Sequence, residues 1–456
     1  MSTTPSGAVV ATRRFGLGAR PGEVSEAAAD PRGYVVRQIG VTPVQGAADL
    51  QSSDQIIQRR LRAGQELKAL AGQQSGSDLS DDANYQALRQ IVRPAAYVQP
   101  EVSERFEAGF SSDNPLIERL TYFWSDHFTV SRLKGSKVTA VAGAFEREAI
   151  RPYVYGRFSD MVLAVAKHPA MLFYLDNDIS AGPDSRVGQR KSRGLNENLG
   201  REILELHTLG VQGGYTQADV IAFAKALTGW RVEMAPGDAT GRFVFVPQWH
   251  EPGPVEFMGQ VYDQPGMEQA EAILNYVSVH PATARHIAGE LAAHFLQSPP
   301  PPALVDRLSG VFLESDGDLA AVTRALVTDD ASWQAPPSKV LPPFDFVVAV
   351  LRALELPPSE LPVEAAAALF GQRTWGATSP KGWPAEDEIW ASPAALLKRL
   401  DWVETVVPRA GDVDPLARAD AVLGDLSEPT RNAVARAESR HQALALLLMS
   451  PEFLLR

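Results

Sequence analysis

The densest run of chemically able side chains is GLNENLGREILELHTLG, residues 194–210. It carries Glu197, Glu202 and Glu205 with Arg201 and His207 on what the spacing predicts to be one helix. At about 100° per residue, Glu197, Asn198, Arg201, Glu202, Glu205 and Thr208 share a polar arc. Leu199, Ile203 and Leu206 lie opposite, with His207 at the edge of the apolar arc. Glu202 and Glu205, one turn apart, could bind a hard cation or work as an acid/base pair. Arg201 offers a planar fork that suits phosphate, sulfate or carboxylate. The competing reading is a solvated face, on which Glu197–Arg201 and Arg201–Glu205 are i,i+4 pairs worth about 0.3–0.5 kcal/mol each. The Glu-x-x-His signature of helical carboxylate metal sites is absent, because position 205 holds Glu and His207 comes two residues later.

A second candidate is His127, in NPLIERLTYFWSDHFT (residues 114–129). On its own wheel it falls among Leu116, Leu120, Phe123 and Trp124, so it points inward. A core histidine bonded to a backbone carbonyl satisfies that pattern. If folding brings His127 together with His207 or the loop residue His250 beside Glu202 or Glu205, a metal or general-base site results. The catalytic candidates are therefore His127, Arg201, Glu202, Glu205 and His207. The candidate metal ligands are His127, Glu202, Glu205, His207 and His250, with a divalent metal as the cofactor they would take.

These groups must be positioned by helices. Asn114 and Pro115 predict a helix start, and residues 140–177 read as two helices interrupted near Pro152 to Arg157. Thr216 and Asp219 form a T-x-x-D capping pattern that opens a helix ending at Gly229. Residues 1–20 read as an extended entry segment. Residues 72–83 read as a loop, and 178–193 as a flexible basic loop with Arg186, Arg190, Lys191 and Arg193. The short β-type runs RFVFV and VEFMGQVY predict one small hairpin within 241–262, with His250 and Glu251 in its loop. Residues 371–393 form an aromatic loop with Trp375, Trp383 and Trp390, either a sugar-stacking platform or simple surface packing. The fold class is mainly α, a large multi-helix bundle-like domain with a minor β-hairpin. Its regions are 1–110, N-terminal and helical; 111–265, the signature-bearing core; and 266–456, C-terminal and helical, read as one integrated unit.

Composition narrows the function classes. The chain has 456 residues, 45% hydrophobic and 21% charged, with a net charge of -12. Such acidity argues against sequence-independent nucleic-acid binding, which needs clustered Lys and Arg. No cysteine is present, which excludes disulfides, thiolate zinc sites and cysteine nucleophiles. No stretch has the length of a transmembrane helix, and the apolar run Ala8 to Ala11 is too short for a signal-peptide core, so a cytoplasmic protein is expected. Ser125, Ser131 and Ser180 lack the G-x-S-x-G elbow. RFGLG at 14–18 lacks the glycines and βαβ context of a dinucleotide loop.

Several stretches together carry a resemblance: RRFGLGARPGE, YFWSDHFTV, FEREAIRPYVYGRFSDMVLAVAKHPAMLFYLDN, RGLNENLGREILELHTLGVQGGYTQADVIAFAKALTGW, HEPGPVEFMGQ, KGWP and QALALLLMSPEF. Along nearly its whole length the chain resembles the bacterial family described as domain of unknown function 1800. The resemblance implies a mainly helical fold with no established activity. It implies a signature that includes His127, then Glu197, Asn198, Arg201, Glu202, Glu205 and His207, and His250. It also implies a sulfatase-like partner protein, since relatives are often encoded beside one. Many relatives carry export signals, whereas this chain begins almost directly at RRFGLGAR. Two functions follow as expectations. One is a helical hydrolase with a buried polar pocket, acting on a small anionic substrate. The other is a binding or scaffold protein in which the same groups form a structural network.

Overall fold

Two helices that are buried on nearly every side form the centre. Pro343–Leu354 (α2) is buried along its whole length, and Pro115–His127 (α1) almost as fully. Each nevertheless carries charge, and the most deeply buried of these charges are paired. Arg119 meets Asp345 at 3.0 Å. Glu118 takes two bonds from Arg151, at 2.6 and 2.7 Å. Arg352, fully buried, reaches Glu23 at 2.8 Å and four backbone carbonyls. Taking a guanidinium out of water is costly unless its donors are met, and these networks meet them.

The architecture comes from a computed structural model, which describes residues 6–41, 50–73, 79, 82–191 and 194–456. Most of the expected 72–83 loop, and Arg193 with the Lys191 side chain, lie outside the described residues. Among the described residues the chain is mainly α with two small two-stranded sheets. None of the described helices is long and apolar enough to cross a membrane. The capping box at Thr216–Asp219 is formed, with the Thr216 N–H on Asp219 at 2.7 Å. Asn114 stands at the N-cap position of α1 but makes no side-chain cap.

Four local expectations are corrected. First, residues 7–14 are not extended but a buried helix, Gly7–Arg14. Its arginine pair anchors distant segments: Arg13 donates to the Phe453 and Leu455 carbonyls, and Arg14 to those of Ser332 and Ala335. Gly18, at φ +90°, lets the following turn lie against Ala349 of α2, where a Cβ would sit 2.9 Å from the alanine methyl. Second, the β region is two ribbons, not one hairpin. Phe243–Phe245 pairs back with Trp230–Val232, and Val255–Phe257 pairs with Gln260–Tyr262 through a tight turn. His250 and Glu251 lie in the connection between the ribbons. Third, the 178–193 stretch contains a helix, Arg186–Lys191.

The fourth correction concerns the signature helix. It is α-helical over Asn198–Glu202 and π-helical over Ile203–His207. The wider π-turn rotates later residues away from a regular wheel. Leu204 and Thr208 are fully buried, Leu206 is only half-buried, and His207 is sealed in rather than at an edge.

Candidate functional site

A cavity of about 520 Å³ opens between α1, α2, the helix Pro281–Phe295 (α3) and the aromatic loop. Its chemistry-bearing walls include Asp126, His127, Glu290, His294, Lys339 and Lys381. The loop closes over it by direct contact with α1. The Trp383 N–H donates to Asp126 Oδ1 at 2.9 Å. Gly382, at φ +86°, approaches so closely that a Cβ would lie 2.7 Å from that oxygen. Lys339 ties the loop down from the other side through the Ala385 carbonyl at 3.0 Å.

His127 Nδ1 lies 2.6 Å from Glu290 Oε2. Its Nε2 faces the His207 backbone carbonyl at 3.1 Å. A carbonyl only accepts, so Nε2 carries a hydrogen. Burial works to raise the Glu290 carboxyl, but His127, His286 and Lys381 outweigh it and hold it below the usual range. Asp126 shows the reverse: burial pushes it up to about 7, against the pull of the Trp383 N–H and of Arg105. Its second oxygen has no protein partner among the described residues. His294 is held well below its ordinary range by burial and by the charges of Arg119 and Lys339, and its Nε2 has no partner among the described residues. Lys381, exposed at the cavity wall, makes no hydrogen bond or ion pair among the described residues. The aromatic loop is part lining and part anchor: Trp375 and Trp390 are buried with their indole N–H groups on Glu146 and the Pro384 carbonyl. Trp383, half-buried, is the more open of the three.

Of the five residues expected to ligate a metal, His127 and His207 are neighbours, with ring centroids 6.0 Å apart, and Glu202, Glu205 and His250 do not join them. His127 alone lines the cavity. Arg201 lies on the outer arc, bonded to Glu197 at 2.7 Å and Gln217 at 3.0 Å. Glu202 and Glu205 are half-buried beside it and off the cavity, with Glu202 raised by burial and then by Glu205. His250 bonds the Thr228 carbonyl through Nδ1 at 2.9 Å. The His207 ring is 1% exposed and held well below its ordinary range by burial, then by His127 and His286. Its Nδ1 has no partner among the described residues. What His207 brings to the site is its backbone carbonyl. Among the described residues no group of three or more His, Asp or Glu is placed to hold a metal ion. The π-turn is the physical reason: it sends the His207 ring into the core and leaves the two glutamates outside.

Asp126, His286, Glu290 and Lys381 escaped the sequence reading. A signal for three of the cavity-side groups existed. His286, Glu290 and His294 recur every four residues along α3, an ionisable stripe on a helix otherwise rich in alanine, and such spacing puts them on one face.

Fold and site together define a mainly helical protein with an open cavity, apolar in most of its lining and carrying several ionisable groups, beside its two central helices. Residues 10–455 match the family model described as a protein of unknown function, DUF1800, and the chain belongs to that family. No curated protein and no solved structure matches it.

Proposed function

We propose that the protein is a hydrolase that holds a small anionic substrate in the cavity, with Asp126 as the proton carrier and Glu290 as the fixed negative partner. The observation that carries this reading is the convergence of Asp126, the His127–Glu290 pair and the unpaired Lys381 on one cavity. Carboxyl groups driven apart in acidity within one site are the usual arrangement for acid–base work. A proton carrier acts best when it titrates near the working pH, as Asp126 does.

The reaction balances with one water. Asp126, ionised, takes a proton from water as its oxygen bonds to the electrophilic centre. The bond to the leaving group then breaks, and Asp126 returns that proton to the departing atom. Glu290, held by His127, orients the water by accepting its second hydrogen. Lys381 pairs with the anionic group of the substrate, and Trp383 offers it an apolar face.

The test uses para-nitrophenyl acetate, phosphate and sulfate with the full chain. At least one is expected to turn over, with Asp126→Asn slower by about 10²–10⁴-fold, the span of general acid–base contributions. Lys381→Ala is expected to raise KM more than it lowers kcat. Turnover unaffected by Asp126→Asn, or no turnover together with no shift in melting temperature on adding phosphate, sulfate or acetate, overturns the reading.

A further inference from the structure

The histidine next to the pair, His286, is used by neither the proton transfer nor the substrate. It stands one turn before Glu290 on α3, with its Nε2 3.5 Å from Glu290 Oε1. That nitrogen also lies 3.0 Å from the Leu206 carbonyl. His127 makes the matching contact with the next carbonyl, that of His207. Two adjacent carbonyls at the end of the π-turn thus each receive one imidazole N–H, and Glu290 lies between the two rings.

Three features show that the end of the signature helix is shaped for this. The last carbonyls of a helix have no partner within it. Their negative end favours cationic or donating groups, and the two imidazoles supply donors. Gly210, at φ +78°, leaves room for the His286 ring, which a Cβ there would approach to 3.2 Å. The helix end is also closed on itself, through the Thr208 hydroxyl on the Ile203 carbonyl at 2.7 Å and the Gly210 N–H on the Leu204 carbonyl at 3.1 Å. The two acceptors are therefore rigidly placed.

We infer that His286 is a positioning residue: by docking on the Leu206 carbonyl it fixes α3 to the π-turn and holds Glu290 facing both His127 and the cavity. The inference rests on the hydrolase reading for its purpose, but its geometry stands apart from it. When Glu290 is ionised, neither acceptor facing His127 carries a proton. The His127 Nδ1 signal, set by its 2.6 Å contact with Glu290, then reports directly on where the carboxylate sits. The chemically able helix of residues 194–210 thus serves the site through its backbone, with its charged side chains turned elsewhere.

The test is imidazole ¹⁵N NMR of His127 in the full chain, with melting temperature and turnover followed in parallel. The parent protein is expected to show a His127 Nδ1 signal displaced by its contact with Glu290. His286→Leu removes the donor and is expected to shift the His127 Nδ1 signal and to lower turnover at least tenfold. His286→Gln, which keeps an N–H at the same reach, is expected to restore both. If His286→Leu does not fold, Gly210→Ala crowds the same ring and is expected to move the same signal. An unchanged His127 spectrum in His286→Leu, or in Gly210→Ala, overturns the inference, as does a His286→Gln variant no better than His286→Leu. The two failures are distinguishable. A spectrum that shifts while Asp126→Asn keeps full turnover sinks the hydrolase reading and leaves the brace. A spectrum that stays while Asp126→Asn is inactive does the opposite.

Discussion

Arg201 and Glu197 meet at 2.7 Å on the signature helix with 37% and 32% of their side chains exposed. His127 and Glu290 meet at 2.6 Å at the cavity wall, with the imidazole 2% and the carboxylate 39% exposed. Both are acid–base pairs on helices, and the sequence advertises the first far more loudly. The structure reverses their weight. Water reaches both ends of the outer pair, whereas in the inner one it reaches only the carboxylate, and the imidazole is sealed among Phe123, Trp124 and Phe128, where a polar group must find its partner. Residue type marks what a side chain can do; the low-dielectric setting decides whether it does so. The helix rich in charge turns its charges outward and lends the site two carbonyls. The alanine-rich helix turns its ionisable stripe inward and supplies Glu290.

The sharpest way to test that contrast is at the floor of the cavity. Arg119 and Asp345 are paired at 3.0 Å with side chains only 1% and 10% exposed, and Arg119 also donates to the Gly16 carbonyl at 2.6 Å. Arg119→Leu leaves Asp345 and that carbonyl unpaired. A loss of about 3–5 kcal/mol is expected, the range for breaking a buried pair, measured by urea denaturation. A loss under about 1 kcal/mol would mean that this setting is no less screened than the outer arc.

A smaller effect, and one with a sign, belongs to Asp126. Its folded-state acidity, about 7, lies above its ordinary value of 3.8. The folded state therefore binds the proton more tightly than the unfolded chain. The stability this supplies is fully present below pH 3.8 and is lost as pH rises through about 7. Asp126→Asn cannot ionise, so it is expected to match the parent's melting temperature near pH 4 and exceed it at pH 8. Equal melting temperatures at both values would place Asp126 in water, with no more claim to the cavity than Glu197 has.

How much of this could be read beforehand depends on period. The Asn-Pro start of 114–129 and the T-x-x-D cap are local patterns, and the helices they predict are present. The inward placement of His127 followed from the periodicity of 114–129. The π-turn was not legible, because nothing in ILELH distinguishes it from an α-helical turn. With it went the true facing of His207 and Thr208. The β region misled because RFVFV pairs backward to Trp230–Val232, a non-local choice that alternation cannot express. Asp126 and the loop that carries Lys381 come together through the close approach of Gly382, 256 positions along the chain, and spacing carries no information about that. Glu290 was legible in the four-residue stripe 286–290–294.

The smallest predicted effect completes the comparison. Arg201→Ala removes one ion pair and one bond to Gln217 on a surface open to solvent. Exposed helical pairs are worth about 0.3–0.5 kcal/mol, so the midpoint of denaturation is expected to move by less than about 1 kcal/mol in free energy. The same variant should leave turnover and the His127 ¹⁵N spectrum unchanged, since only the backbone of the following π-turn reaches the cavity. A scaffold whose packing depended on this helix's charged groups would lose about 3–5 kcal/mol instead. Should that larger loss appear, the outer arc is buried against a partner or a neighbouring segment in solution, and the division of labour between the two helices fails. A near-neutral Arg201→Ala beside a damaging Arg119→Leu leaves the cavity as the place where charge is held at cost, which is where chemistry is to be sought.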